Sequence, residues 1–212
     1  MKLYGYYRSS AAYRVRIALN LKGLNAEHVG VHLRHGDQHA PGFRRLNPAA
    51  LVPVLEQDGQ WFSQSLAIIE YLEEIQPLPA LLPARPADRA YVRALALSIA
   101  CDIHPLNNLR VLNYLKDDLK VGAPDRVRWY AHWIETGLTA LEAQLSGDAR
   151  VATYCCGDQP GLADVCLVPQ VYNAERMQCD LFAYPTVLKI TAAARAHPAF
   201  AAASPERQAD AE

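Results

Sequence analysis

The chain lacks an excess of either charge: 21 Lys and Arg stand against 22 Asp and Glu in 212 residues. That balance excludes binding driven by net charge, so neither nucleic acid nor a membrane surface is an expected partner. Long apolar runs are also missing. Charge interrupts each of them, which excludes a membrane-spanning helix. The opening MKLYGYY reads as a strand and not as a signal peptide, so a cytoplasmic protein is expected. Cysteine is scarce: Cys101, Cys155, Cys156, Cys166 and Cys179 form an odd set without a CxxC pair. A disulfide framework is excluded, and reduced, buried thiols are expected. The adjacent Cys155 and Cys156 read as two small residues, at least one of them buried. His28, His32, His35 and His39 crowd one segment but have no cysteine beside them and run from a strand into a loop. They read as a solvated patch, and no metal is expected in the chemistry.

What is present is core. About half of the residues are apolar (51%), enough for one large domain or two small ones. The first third alternates strand and helix. KLYGYY is a strand, and AYRVRIALNLKG is a helix with Lys22 in its last turn and Gly23 closing it. AEHVGVHL is a second strand. VPVLEQDGQWFS is a hairpin turning at Asp58-Gly59. SLAIIEYLEEI is a helix with Leu66, Ile69, Leu72 and Ile75 on its inner face. A βαβ unit followed by ββα predicts a mixed sheet covered by helices.

Composition then shifts. Pro77, Pro79, Pro83 and Pro86 fall within twelve residues, which no helix tolerates. Everything after this linker reads helical. One helix spans DRAYVRALALSIACDI and kinks or restarts at Pro105. Another carries Ile134, Leu138, Leu141 and Leu145 at helical spacing, with Trp129 and Trp133 in helix packing or a subunit contact. A third, LADVCLVPQVYNAERM, has Asp164 in its first turn, where a carboxylate suits the helix dipole. The tail AAASPERQADAE is polar and expected to fray. The domains are therefore 1–77, a linker at 78–86, and 87–212.

The segment YYRSSAAYRVRIAL carries the chemical question. Ser9 and Ser10 sit where a strand hands over to a helix, with Arg8, Arg14 and Arg16 nearby and no cysteine, histidine or carboxylate beside them. Hydroxyls and positive charge at a helix mouth stabilise an anion. They supply no nucleophile of their own. Simple helix capping would need only one of the serines.

Together, RSSAAYRVRIAL, NPAALVPVL, QSLAIIEYLEE and LVPQVYNAER resemble the zeta class of the glutathione transferases, over nearly the whole chain. That resemblance implies an α/β thioredoxin-like N-terminal domain plus an all-α C-terminal domain. It also implies glutathione as cofactor and a homodimer. The nucleophile is then borrowed: the glutathione thiol is activated by Ser9 or Ser10, the sequence leaving open which. The family often carries cysteine where Ala11 stands, so a mechanism needing an enzyme thiol in this turn is excluded. It usually has Ser or Thr where Gly161 stands, so the helix after it forms with less support.

The resemblance assigns further contacts to the bound tripeptide. Ser9, Ser10 and Ala11 line the first helix start. Val52 precedes Pro53 in a cis peptide and pairs with the cysteinyl unit. Gln64 and Ser65 meet the γ-glutamyl carboxylate at a helix N-terminus. Gln38 reaches the glycyl end. Asp102, His104 and Asn108 come from the helical domain. Arg8, Arg110 and Arg176 are the expected substrate ligands, because guanidinium matches carboxylate with paired hydrogen bonds. The implied reaction is cis–trans isomerisation of the dicarboxylate maleylpyruvate: thiolate adds to the double bond, the bond rotates, and the thiolate leaves. Maleylacetoacetate isomerisation, general conjugation of glutathione and non-enzymatic glutathione binding are the alternatives.

Overall fold

The computed structural model describes residues 1–212. They form two compact units, Met1–Leu81 with Ala196–Glu212, and Leu82–Arg195. The first unit contains β1 (Lys2–Gly5), α1 (Ser10–Leu21), β2 (Glu27–Gly30), α2 (Pro41–Leu46), β3 (Val54–Gln57), β4 (Gln60–Ser63) and α3 (Ser65–Ile75). The second contains α4 (Pro86–Leu97), α5 (Leu109–Asp117), α6 (Ala123–Ser146), α7 (Leu162–Arg176) and α8 (Pro185–Ala196). A last helix, α9 (Pro198–Ala203), belongs to the first unit.

The sheet is mixed, with strand order β2-β1-β3-β4. β1 runs parallel to β2 and antiparallel to β3. A helical crossover permits the first pairing and a return strand the second. Asp58 and Gly59 both have positive φ, 51° and 76°, as a two-residue turn between twisted strands requires. β2 is shorter than its sequence pattern. It ends at Gly30, and the backbone N–H of His32 donates to Asp37 Oδ2 at 2.9 Å instead of joining a ladder.

α1 is buried on nearly every side: Ala12, Val15, Ile17 and Ala18 are fully inaccessible, and Arg14 and Arg16 are buried with them. Lys22, expected in the last turn with Gly23 closing the helix, lies one residue past the end of α1. It caps α1, with Gly23 following at φ 65°. Its ammonium is buried, pairs with Glu73 of α3 and donates to the Pro79 carbonyl at 2.7 Å. Glu73 also accepts the Leu81 N–H.

The inner face of α3 is Ile68, Ile69 and Leu72, while Ile75 is 45% exposed. Residues spaced by three lag a 3.6-residue turn by about 60° per step. Leu66 and Ile75 therefore lie on opposite sides of the helix, and the expected stripe was drawn too straight.

The C-terminal tail corrects the sequence reading most. Residues 196–212 pack with the first unit, and the tail is not frayed. α9 packs on α1, and Asn20 Nδ2 donates to the Ala199 carbonyl at 2.9 Å. Gln208 Nε2 donates to the Ala202 and Ser204 carbonyls. Asp210 accepts the Tyr7 N–H at 3.0 Å, and Glu212 Oε1 lies 2.8 Å from His32 Nε2. The tail's polar side chains have backbone groups to answer, which a hydropathy pattern does not show.

In the second unit the single helix expected through Ile103 is two pieces, with a turn after them. α4 gives way to a π-helical stretch, Ser98–Ile103, and a 3-10 turn, His104–Asn107. The chain then restarts as α5 after Pro105, as expected, with the Asn108 side chain capping it. Ile103 rests on Gly137 of α6, where a Cβ would stand 2.2 Å from Ile103 Cδ1. The α6 core is Tyr130, Ile134, Leu138, Leu141 and Leu145. α7 begins at Gly161, whose N–H donates to Asp164 Oδ2 at 2.8 Å, while Asp164 Oδ1 accepts the Cys155 N–H at 2.9 Å. Asp164 thus provides its own half of a capping box, while Gly161 has no side chain to provide the other half. None of the five cysteines forms a disulfide; Cys155 and Cys166 are buried, and Cys101 is exposed.

The Lys22–Glu73 pair yields an asymmetric prediction. Removing the carboxylate strands a buried ammonium, which costs about 3–5 kcal/mol. Removing the ammonium leaves a less buried carboxylate that keeps the Leu81 N–H. Urea unfolding of Glu73→Ala is expected to show a loss at least twice that of Lys22→Met. Equal losses would show that the pair acts only through packing.

Candidate active site

The β1–α1 turn is the centre of the candidate site. The Ser9 N–H donates to the Tyr6 carbonyl at 2.9 Å, closing a four-residue turn over Tyr7 and Arg8. Ser9 is the N-cap of α1, with extended backbone, and its Oγ accepts the Ala12 N–H at 3.2 Å. The hydroxyl proton of an accepting serine stays free to donate elsewhere. Ser10 is the first helical residue and is buried (4%), whereas Ser9 is half-exposed. Ala11 follows, also half-exposed. Arg8 places its guanidinium 4.9 Å from the Tyr7 ring centre, a cation–π contact that holds it beside the turn. Burial, reinforced by the neighbouring Tyr7, pushes the Tyr6 hydroxyl up to about 12, so it stays a neutral phenol at neutral pH.

A second helix mouth belongs to the same unit. Gln64 caps α3 with φ 69° and ψ 116°, a left-handed conformation. Non-glycine residues held there cost on the order of 1–3 kcal/mol, and such positions cluster at ligand sites. Ser65, buried at 6%, begins the helix and accepts from Arg14 Nη1 at 3.4 Å. Arg14 thus links α1 to the start of α3. It and Arg16 are buried structural cations and do not line the helix mouth as the sequence suggested. The signal was there: two arginines amid AYRVRIAL, on a helix otherwise apolar on every side.

Val52-Pro53 is cis, as the resemblance implied, and Leu78-Pro79 is a second cis bond that the sequence reading did not anticipate. Gln38 sits in the 3-10 turn Asp37–His39, nearly buried, with Nε2 near the Leu33 carbonyl and His39 Nε2. Its Oε1 is buried without a protein partner. His32, His35 and Glu212 bring their ligand-type atoms within 4.8 Å of one another, so the histidine patch includes a carboxylate from the tail.

The second unit holds the remaining expected residues. Asn108 caps α5: its Oδ1 accepts the Arg110 N–H at 3.1 Å, and its Nδ2 lies 3.5 Å from His104 Nε2. His104 and Asn108 therefore do share a face across Pro105. Asp102 and Arg110 are exposed nearby in sequence. Arg176 ends α7 beside Tyr130. Burial pushes the Tyr130 hydroxyl up to about 12, and the Arg176 cation pulls the other way.

Residues 3–80 match the model of the glutathione S-transferase N-terminal domain, and residues 134–202 that of the C-terminal domain. The chain belongs to the glutathione S-transferase family. Within this family it is 56% identical to a probable maleylacetoacetate isomerase of Vibrio cholerae, over 99% of this chain and 97% of that one. It superposes with a TM-score of 0.98 on the holo structure of a maleyl pyruvate isomerase, a bacterial zeta-class member, at 46% identity and full coverage of both chains. A maleylacetoacetate isomerase from Methylobacterium extorquens, solved with malonate and glutathione bound, superposes at 0.97 with 42% identity, again over both whole chains. The zeta-class resemblance and the transferase architecture read from the sequence are borne out.

Gln64 gives a testable trade-off. Glycine takes a positive φ without steric cost, at some loss of backbone entropy on folding, so Gln64→Gly is expected to raise unfolding stability in urea by up to about 1 kcal/mol while weakening ligand binding. A loss of stability would mean that the side chain, not ligand binding, justifies the conformation.

Proposed function

We propose that this protein is a glutathione-dependent isomerase that converts maleylpyruvate to fumarylpyruvate. The observation that carries the reading is the pairing, in one unit, of two helix mouths built for anions: Ser9 at the start of α1 and Gln64-Ser65 at the start of α3. Their joint charge suits a peptide bearing both a thiol and a free carboxylate. The orphaned Gln38 Oε1 fits too, since an amide side chain answers a peptide N–H or carboxylate according to its flip. The relatives add support: the maleylacetoacetate isomerase from Methylobacterium extorquens was solved with both glutathione and a dicarboxylate, malonate.

When bound, glutathione supplies the thiolate that adds reversibly to the cis double bond and departs after rotation. The chain's own part is binding and electrostatics. Ser9 donates its free hydroxyl proton toward the sulfur, with the α1 N-terminus behind it, and Ser10 packs beneath. Ala11 and the Val52 backbone border the cysteinyl unit, Gln64 and Ser65 take the γ-glutamyl end, and Gln38 takes the glycyl end. Asp102, His104 and Asn108 complete the tripeptide's surroundings. Arg8, Arg110 and Arg176 hold the substrate's carboxylates and the negative charge that develops between them. A cytoplasmic homodimer is the assembly this reading carries.

Maleylacetoacetate is the second reading, favoured by the name of the 56% identical Vibrio relative. Both substrates present two carboxylates across a cis bond, so the chemistry is shared. Purified protein given each diacid, with and without catalytic glutathione, is expected to form the trans product only with glutathione, as read by proton NMR. Faster turnover of maleylacetoacetate would select the second reading. A stable glutathione adduct would make the protein a conjugating transferase instead. Ser9→Ala is expected to lower kcat/KM about 100-fold, and Ser10→Ala less than tenfold. The reverse order would move the thiolate donor to Ser10.

A further inference from the structure

The turn that carries Arg8 and Ser9 is held from behind by the C-terminal tail. Tyr7, the residue before them, has both of its backbone polar groups taken by side chains. Its N–H donates to Asp210 Oδ2 at 3.0 Å, and its carbonyl accepts from Arg16 Nη2 at 2.9 Å. Arg16 Nε donates in turn to the Ala203 carbonyl at 3.0 Å, at the end of α9. Tyr7 occupies the second position of the turn closed by Ser9 N–H and the Tyr6 carbonyl. The N–H at that position takes no part in a turn's closing hydrogen bond, so the Asp210 carboxylate supplies a partner that the local chain does not. A contact spanning 203 residues of sequence is not a local cap.

The surroundings fit a clasp. Gly30, at the end of the edge strand β2, faces Asp210, where an added Cβ would stand 3.6 Å from Asp210 Cβ. A larger side chain there would press directly on the tail. A cavity of about 420 Å³ runs along the contact, lined by Gly5, Tyr6, Tyr7, Arg16, His28 and Asp210 among others. If the clasp opens, the turn therefore has adjacent space into which to relax.

We propose that Asp210 is a positioning residue: together with Arg16 it fixes the Tyr7 peptide and thereby sets where Ser9 and Arg8 point. It touches neither glutathione nor substrate. The proposal rests on the reading above, in which Ser9 and Arg8 are the working residues of the turn. Misplacing catalytic groups by an ångström lowers turnover steeply while leaving distributed binding contacts in place.

The test compares Asp210→Ala with Asp210→Asn, which keeps an acceptor oxygen. Asp210→Ala is expected to lower kcat about tenfold while the glutathione Kd, from isothermal calorimetry, moves less than threefold. Asp210→Asn should recover most of kcat. The Tyr7 amide, followed by hydrogen exchange, should exchange at least tenfold faster in Asp210→Ala than in wild type. Should Asp210→Ala fail to fold, Gly30→Val displaces the tail from the other side and is expected to show the same split between kcat and Kd. Unchanged kcat in a folded Asp210→Ala or Gly30→Val protein would overturn the proposal. So would a loss in Asp210→Asn equal to that in Asp210→Ala. If wild-type protein neither binds glutathione nor isomerises either diacid, the functional reading fails. The exchange measurement still judges the clasp in that case, and equal protection of Tyr7 in both proteins would overturn it.

Discussion

Three buried cations on one helix and its C-cap organise the first unit. Arg14 and Arg16 lie on α1 and Lys22 caps it, and each is nearly inaccessible. A buried cation is expensive unless oxygen atoms surround it, so each one binds the element that supplies its acceptors. Arg14 takes Ser65 at the start of α3. Arg16 takes the Tyr7 carbonyl before α1 and the Ala203 carbonyl of α9. Lys22 takes Glu73 and the Pro79 carbonyl. The apolar residues of α1 make the core, but these side chains determine which segment goes where. They tie both ends of the site to the same helix.

This arrangement explains how a protein without a nucleophile of its own presents a precise site. The chemistry asked of the chain is modest: it must lower the free energy of a thiolate and of two carboxylates. Helix N-termini do this only over their first turn, so the geometry of two turns decides the outcome. The β1–α1 turn is fixed by Ser9 capping, Arg16 and the tail. The turn before α3 is fixed by a strained Gln64 and by the Arg14–Ser65 contact.

Much of this could be read from the sequence. The alternation of patterns placed the sheet, the Asp58-Gly59 hairpin, the proline linker and the restart after Pro105. The family motifs singled out Ser9, Ser10, Gln64 and Ser65, which stand at the starts of α1 and α3, and the cis Val52-Pro53 bond. Most of what was misread shares one cause: side chains whose partners lie outside their own stretch of sequence. Arg14 and Arg16 looked like charge at the helix mouth because their acceptors belong to Ser65, Tyr7 and Ala203. Lys22 looked like an ordinary last-turn residue because Glu73 is 51 residues away. Asp210 looked like frayed surface because its donor, the Tyr7 N–H, has no signature in composition. Ile75 was a different error, a stripe of period three laid on a helix of period 3.6.

The central claim is that the protein activates a thiol it does not own. The most direct test is the ionisation of that thiol. Ultraviolet thiolate absorbance of glutathione bound to the purified protein should be titrated against pH, beside free glutathione. The account predicts that the bound thiol ionises at least one pH unit below the free one, by roughly the 1.4 kcal/mol that one unit represents, and that the shift disappears in Ser9→Ala. A bound thiol that ionises with the free one would contradict the account, whatever the protein did to the diacids.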